Sequence, residues 1–91
     1  FINMKWQLAK EVLSSKIDEE IVLLAVDAES YLSLDPVGSR IWELLSEKPS
    51  TVDELADLLM EEYEVDRGTC LNDVQAFIDD MAARKLIVPS E

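Results

Sequence analysis

Tyr31-Leu32-Ser33-Leu34-Asp35-Pro36-Val37-Gly38-Ser39-Arg40-Ile41-Trp42-Glu43-Leu44-Leu45 changes its hydrophobic period part-way along. Tyr31 to Leu34 alternate with period two, so Leu32 and Leu34 share one face of a strand while Tyr31 and Ser33 share the other. Asp35 can accept a hydrogen bond from the free amides of a helical first turn. Pro36 suits the first helical position, where its missing N–H has no partner to lose. The strand therefore stops at Asp35 and a helix begins, which joins a small sheet to a helical layer.

Upstream of this junction the pattern stays strand-like. Val12 to Ile17 and the apolar run Ile21 to Val26 precede Ser30 to Leu34, separated by Asp18-Glu19-Glu20 and Asp27-Ala28-Glu29. Two short polar breaks imply an antiparallel meander whose middle run is apolar on both faces. Neither break contains glycine, so connections slightly longer than a tight hairpin turn, or bulged ones, are expected. With the strands in sequential order the third is an edge strand, with unpaired backbone groups on one side.

Downstream the period is helical. Val37, Ile41, Leu44 and Leu45 form one stripe, widened by Trp42, and Lys48-Pro49 ends the helix. Thr51 and Glu54 read as a capping box ahead of Val52, Leu55, Leu59 and Tyr63. Glu64 to Thr69 read as a loop around Gly68. Cys70, Leu71, Val74, Phe77, Ile78 and Met81 then recur at helical spacing as far as Lys85. Trp42, Tyr63 and Phe77 extend these stripes and are expected in the core, whereas Tyr31 is divided between a second apolar layer and an exposed site. Leu86-Ile87-Val88 should leave the last helix as an extended tail that Pro89 ends. The fold class is α+β: a three-stranded antiparallel sheet followed by a three-helix bundle, in a single domain over residues 1–91. Residues 1–7 are expected as either an appended remnant or a flexible start, with Phe1-Ile2-Asn3 the remnant ahead of Met4.

Composition narrows the function. Ninety-one residues bury about 60–70% of their unfolded surface, enough for one modest core given 48% hydrophobic residues. Twenty acidic and eight basic residues give a net charge of −12, which repels phosphate backbones and anionic membrane surfaces. No apolar run approaches the roughly 20 residues of a membrane span. One cysteine, Cys70, excludes an internal disulfide, and a cytoplasmic location is expected.

Catalytic chemistry is poorly supplied. The chain has no histidine, so the commonest general base and metal ligand is missing, and an acidic setting disfavours a Cys70 thiolate. Asp79 and Asp80 are helix neighbours pointing about 100° apart, a poor acid–base pair. Glu64 to Gly68 lack the alternating ligands of a calcium loop, and two separated glycines cannot form a phosphate cradle. Neither an enzyme nor a cofactor or metal is expected.

Taken in order, the residues resemble the PqqD family, leader-binding proteins of pyrroloquinoline quinone biosynthesis and related recognition domains of ribosomal peptide (RiPP) pathways. The resemblance runs from Leu8 to Val88. It rests on Tyr31 to Asp35 with Gly38, Ile41-Trp42 and Leu44-Leu45, then Thr51 to Leu55 and Tyr63-Glu64-Val65. Asp73-Val74, Phe77-Ile78, Met81 and Leu86-Ile87 complete it. Asp35 stands where the family often has asparagine, and Lys85 where a glycine often precedes the last apolar pair.

This resemblance implies a winged-helix-like domain that binds the leader segment of a precursor peptide by strand addition to its third strand, in the groove beside its third helix. The implied site is Glu29, Ser30, Tyr31, Leu32, Ser33 and Leu34 on the strand. On the helix Val74, Phe77, Ile78 and Met81 would form an apolar wall, with Asp73 and Asp80 holding lysines at its flank. An acidic domain of this size is similar to the leader-recognition half of a split lasso-peptide B protein. The implied partners are a leader that is basic or contains Tyr and Pro, a separate cysteine protease and a cyclase, with the chain a monomer or weak homodimer. The alternatives are a peptide chaperone for a different modifying enzyme and an acidic winged-helix regulator. Arg67, Arg84 and Lys85 are too few to make the last helix a DNA reader. A carrier protein is disfavoured because no Asp-Ser pair is present.

Overall fold

In the computed structural model, which describes residues 4–25 and 31–90, Ile17 and Glu20 face each other across a two-residue turn. The connection is tighter than the lack of glycine suggested, because Asp18 itself takes the left-handed conformation, at φ 59°. Asp tolerates that region better than most side chains. The turn joins β2 (Val12–Ile17) to β3 (Glu20–Ala25), and β4 (Tyr31–Ser33) pairs antiparallel with the other side of β3. Val26, the Asp27-Ala28-Glu29 break and Ser30 lie outside the described residues.

Three helices follow, giving the expected α+β arrangement: α1 (Pro36–Glu47), α2 (Val52–Glu62) and α3 (Arg67–Ala83). Each start is capped by a side chain. Asp35 accepts from the Gly38 N–H, Thr51 and Glu54 form a reciprocal box, and Asp66 accepts from the Thr69 N–H. The Asp66 cap starts α3 earlier than the sequence suggested, so Gly68 lies in its first turn rather than in a loop. At the other end Leu86 N–H bonds to Met81 C=O and Lys85 N–H to Ala82 C=O. This Schellman closure places Lys85 at φ 62°.

A second sheet corrects the reading of both termini. β1 (Trp6–Leu8) pairs antiparallel with β5 (Ile87–Pro89), so Leu86 to Val88 are not a free tail. Trp6 also exchanges backbone hydrogen bonds with Ser50, tying β1 to the α1–α2 connection. Both strands have three residues, too few for a period to show.

The core lies between the inner face of β3 and the helices. Ile21 and Leu23 meet the α1 stripe of Ile41, Trp42, Leu44 and Leu45, while Leu55 and Leu59 of α2 and Val74, Ile78 and Met81 of α3 close the other side. Each such side chain contributes about 1.5–3 kcal/mol on burial. Trp42 is in the core as expected, but Tyr63 at the end of α2 is exposed and Phe77 is only half-buried.

Candidate peptide-binding groove

Among the described residues β4 is the edge of its sheet, and its register fixes which backbone groups lack a strand partner there. Tyr31, Leu32 and Ser33 lie opposite Leu24, Leu23 and Val22, and Leu34 N–H donates to Ile21 C=O at 2.8 Å. Along an antiparallel strand, bonded and non-bonded residues alternate. Leu34 and Leu32 therefore direct their backbone groups at β3, whereas Tyr31 and Ser33 direct N–H and C=O away from it. These outward groups are the ones a further strand would pair with.

Ser39 anchors this edge to α1. Its hydroxyl accepts the Ile21 N–H at 2.8 Å and donates to Leu34 C=O at 3.2 Å, inserting itself where the next ladder bond would form. The side chain is fully buried, so both bonds are shielded from water. Asp35 takes the Gly38 N–H at 2.6 Å and starts the helix immediately behind the strand. The junction residues that announce the fold thus hold the edge in place.

Beside the edge runs a groove of ≈ 180 Å³ lined by Leu32, Ser33, Leu34, Gly38, Phe77 and Met81, with Asp35 and Asp80 at its margin. It shares Phe77, Gly38 and both acids with a larger hollow of ≈ 430 Å³ that continues along α1 and α3 past Val37, Ile41, Asp73 and Ala76. Gly38 allows the close approach that shapes both. A Cβ there would sit 3.0 Å from Phe77 Cε1. The lining is acidic: Asp35, Asp73 and Asp80 share the hollow with Phe77, and Asp80 is paired with Arg84 at 3.1 Å.

The sequence-derived site is partly reassembled by this geometry. Leu32, Ser33, Leu34, Phe77, Asp80 and Met81 meet in the groove, and Asp73 lies in its continuation. Tyr31 and Ser33 lie on the outer face of the sheet and offer the groove's edge their backbone groups. Val74 and Ile78 are 0% exposed and line neither hollow, so they belong to the core and not to the wall. Glu29 and Ser30 lie outside the described residues. Asp35, Val37, Gly38, Ile41 and Ala76 were missed as site residues. A capping Asp and a helical glycine signal local structure, and nothing in their spacing says that α3 packs across them.

Elsewhere the chemistry is sparse. A separate cavity of ≈ 580 Å³, lined by Met4, Trp6, Val52 and Asp53 together with Leu71, Asn72 and Gln75 of α3, shares no residue with the groove. Among the described residues no cluster of His, Cys, Asp and Glu suited to a metal is present, and no helix is long and apolar enough to cross a membrane. Burial, with Asp73 as a second cause, raises the Cys70 thiol pKa, and its Sγ faces Ala56 C=O at 3.6 Å. A thiol so placed is a weak nucleophile.

Known proteins share this fold. TbiB1 in complex with the TbiA(beta) leader peptide is 40% identical, with a TM-score of 0.83 over 89% of this chain and 93% of that one. A lasso peptide synthetase B1 complexed with its leader peptide shares the fold at 24% identity, TM-score 0.81, over 92% and 98% of the two chains. So does the PqqD truncation of Methylobacterium extorquens PqqCD, a stand-alone RiPP recognition element, at 21% identity and TM-score 0.75 over 92% and 88%. No curated protein matches the chain. Residues 20–87 match the family described as coenzyme PQQ synthesis protein D, and the chain is a member of that PqqD family.

Proposed function

We propose that this chain binds the leader segment of a ribosomally made precursor peptide as an added strand on β4, and presents it to a protease and cyclase in lasso-peptide assembly. The observation that carries this reading is the free edge at Tyr31 and Ser33 beside a groove floored by Leu32, Phe77 and Met81. Backbone bonding gives such a mode its affinity, and pockets for alternate side chains give it specificity. TbiB1, which is 40% identical, is itself bound to a leader peptide, which supports leader binding; the lasso pathway is the reading suggested by the fold shared with a lasso peptide synthetase B1.

The role is recognition without catalysis, in the cytoplasm. The acidic lining suits a leader with basic residues next to an apolar or aromatic one, and a charge of −12 would speed its encounter. Holding the leader raises the local concentration of the attached core peptide at a protease that binds the same assembly. Asp73, Asp79 and Asp80 on α3 argue against a DNA-reading regulator.

Ser33→Pro tests the reading. The outward N–H of Ser33 is absent from the β3–β4 ladder, and proline is tolerated at such edges, so the fold should survive. Titration with the TbiA(beta) leader should show binding by the wild type and a loss of about two- to tenfold in the variant, one backbone bond's worth. Equal affinity in a folded variant would rule out strand addition at this edge.

A further inference from the structure

The outer face of the three-stranded sheet carries an apolar row that runs to the free edge. Leu13 lies opposite Leu24, and Leu24 opposite Tyr31, so the three side chains are lateral neighbours on one face. They are 59%, 41% and 76% exposed. The adjacent row is different: Ser15 lies opposite Val22, and Val22 opposite Ser33. Tyr31 thus ends an apolar row and Ser33 a more polar one. Both residues also supply the backbone groups that no described residue pairs with along the edge.

We propose that the peptide segment added at β4 carries apolar side chains at two adjacent positions, one on each face of the sheet. The proposal rests on the strand-addition reading and specifies the side chains of its ligand. Residues beside one another in neighbouring strands point to the same face, whichever way the added strand runs. The peptide residue beside Leu32 turns inward over Phe77 and Met81. The residue beside Tyr31 turns outward, packs against the phenol ring, and extends the Leu13–Leu24–Tyr31 row onto a fourth strand. The residue beside Ser33 also turns outward but meets a hydroxyl, so no apolar preference arises there. A groove alone would select every second residue; this edge selects an adjacent pair. The occupant of the exposed ring is the peptide itself, because the row is continuous with the backbone groups that the peptide would engage.

The test is selection from a phage-displayed library of random peptides of about ten residues, ~33 Å when extended and long enough to overrun the edge. Wild type, Tyr31→Phe, Tyr31→Thr and Ser33→Pro are compared. Tyr31 is exposed and threonine is a good strand former, so Tyr31→Thr should fold. Wild type and Tyr31→Phe should enrich two adjacent apolar positions, and Tyr31→Thr one. A peptide selected on wild type should bind Tyr31→Thr up to about fivefold more weakly, as expected for one cross-strand aromatic pair. The same adjacent pair enriched on Tyr31→Thr would overturn the inference and leave strand addition standing. Undiminished enrichment on folded Ser33→Pro would overturn strand addition and the inference with it. A dimer of the free protein that Tyr31→Thr dissolves, with peptide selection unchanged, would assign the row to a second copy and overturn the inference.

Discussion

Ser39 Oγ accepts the Ile21 N–H at 2.8 Å and donates to Leu34 C=O at 3.2 Å, so a side chain of α1 completes the ladder between β3 and β4. Ser39→Ala should cost about 1–3 kcal/mol, the penalty for leaving a buried backbone donor unpaired. The urea midpoint should fall, and exchange at the Ile21 amide should quicken more than elsewhere in β3. A loss under about 0.5 kcal/mol would mean that the strands close and Ile21 bonds Leu34 directly.

Gly38 should separate stability from binding. An alanine in a helix usually gains about 0.5–1 kcal/mol over glycine, but here its Cβ would crowd Phe77 Cε1 from 3.0 Å. The Phe77 ring, which lines the groove, and the capping Asp35 carboxylate at 3.1 Å must give by a few tenths of an ångström. Gly38→Ala should therefore keep its stability within about 1 kcal/mol and bind leader peptide severalfold more weakly. Unchanged affinity in calorimetric titration would show that Phe77 does not shape the bound site.

Lys85 closes α3 with a left-handed backbone, φ 62°, at a position that suits glycine. Lys85→Gly relieves roughly 1–2 kcal/mol of strain and returns part of it as unfolded-chain entropy, for a net gain of about 0.5–1 kcal/mol. Lys85→Ala keeps the strain and should gain nothing. Equal unfolding midpoints for the two variants would refute this account.

Glu54 gives a pH signature. The Thr51 N–H, bonded to its carboxylate at 2.9 Å, is the main cause holding its pKa below the usual 4.5. A carboxylate with a depressed folded pKa stabilises fully above its unfolded value, and the contribution fades as pH falls through the folded one. Glu54→Gln cannot titrate. Its stability deficit should be constant from neutral pH to about 4.5 and shrink below that. Chemical unfolding across this range measures the difference; a gap that persists into strong acid would contradict the assignment.

The sequence made the central junction legible because its signals are local. Alternation at Tyr31 to Leu34, the Asp35-Pro36 start and the Thr51–Glu54 box each act within a few residues, and each appears where expected. Contacts between distant segments were not legible. β1 and β5 are too short to show a period, and the helical spacing that picked out Val74 and Ile78 cannot distinguish a core stripe from a groove wall. Their full burial places them in the core; of the four residues expected in the wall, Phe77 alone is half-open, one step around the helix, and the buried Met81 lines the groove from the core stripe itself. The left-handed Asp18 and Lys85 were hidden because these conformations are usually sought at glycine.

Amide exchange in the presence of leader peptide tests the central claim most directly. In the free protein the Leu34 amide, bonded to Ile21, should already be protected, and Tyr31 and Ser33 should exchange rapidly. Saturation with leader should protect Tyr31 and Ser33 strongly and leave Leu34 little changed. Protection confined to α2 or the β1–β5 sheet, with Tyr31 and Ser33 still exchanging freely, would contradict the strand-addition account.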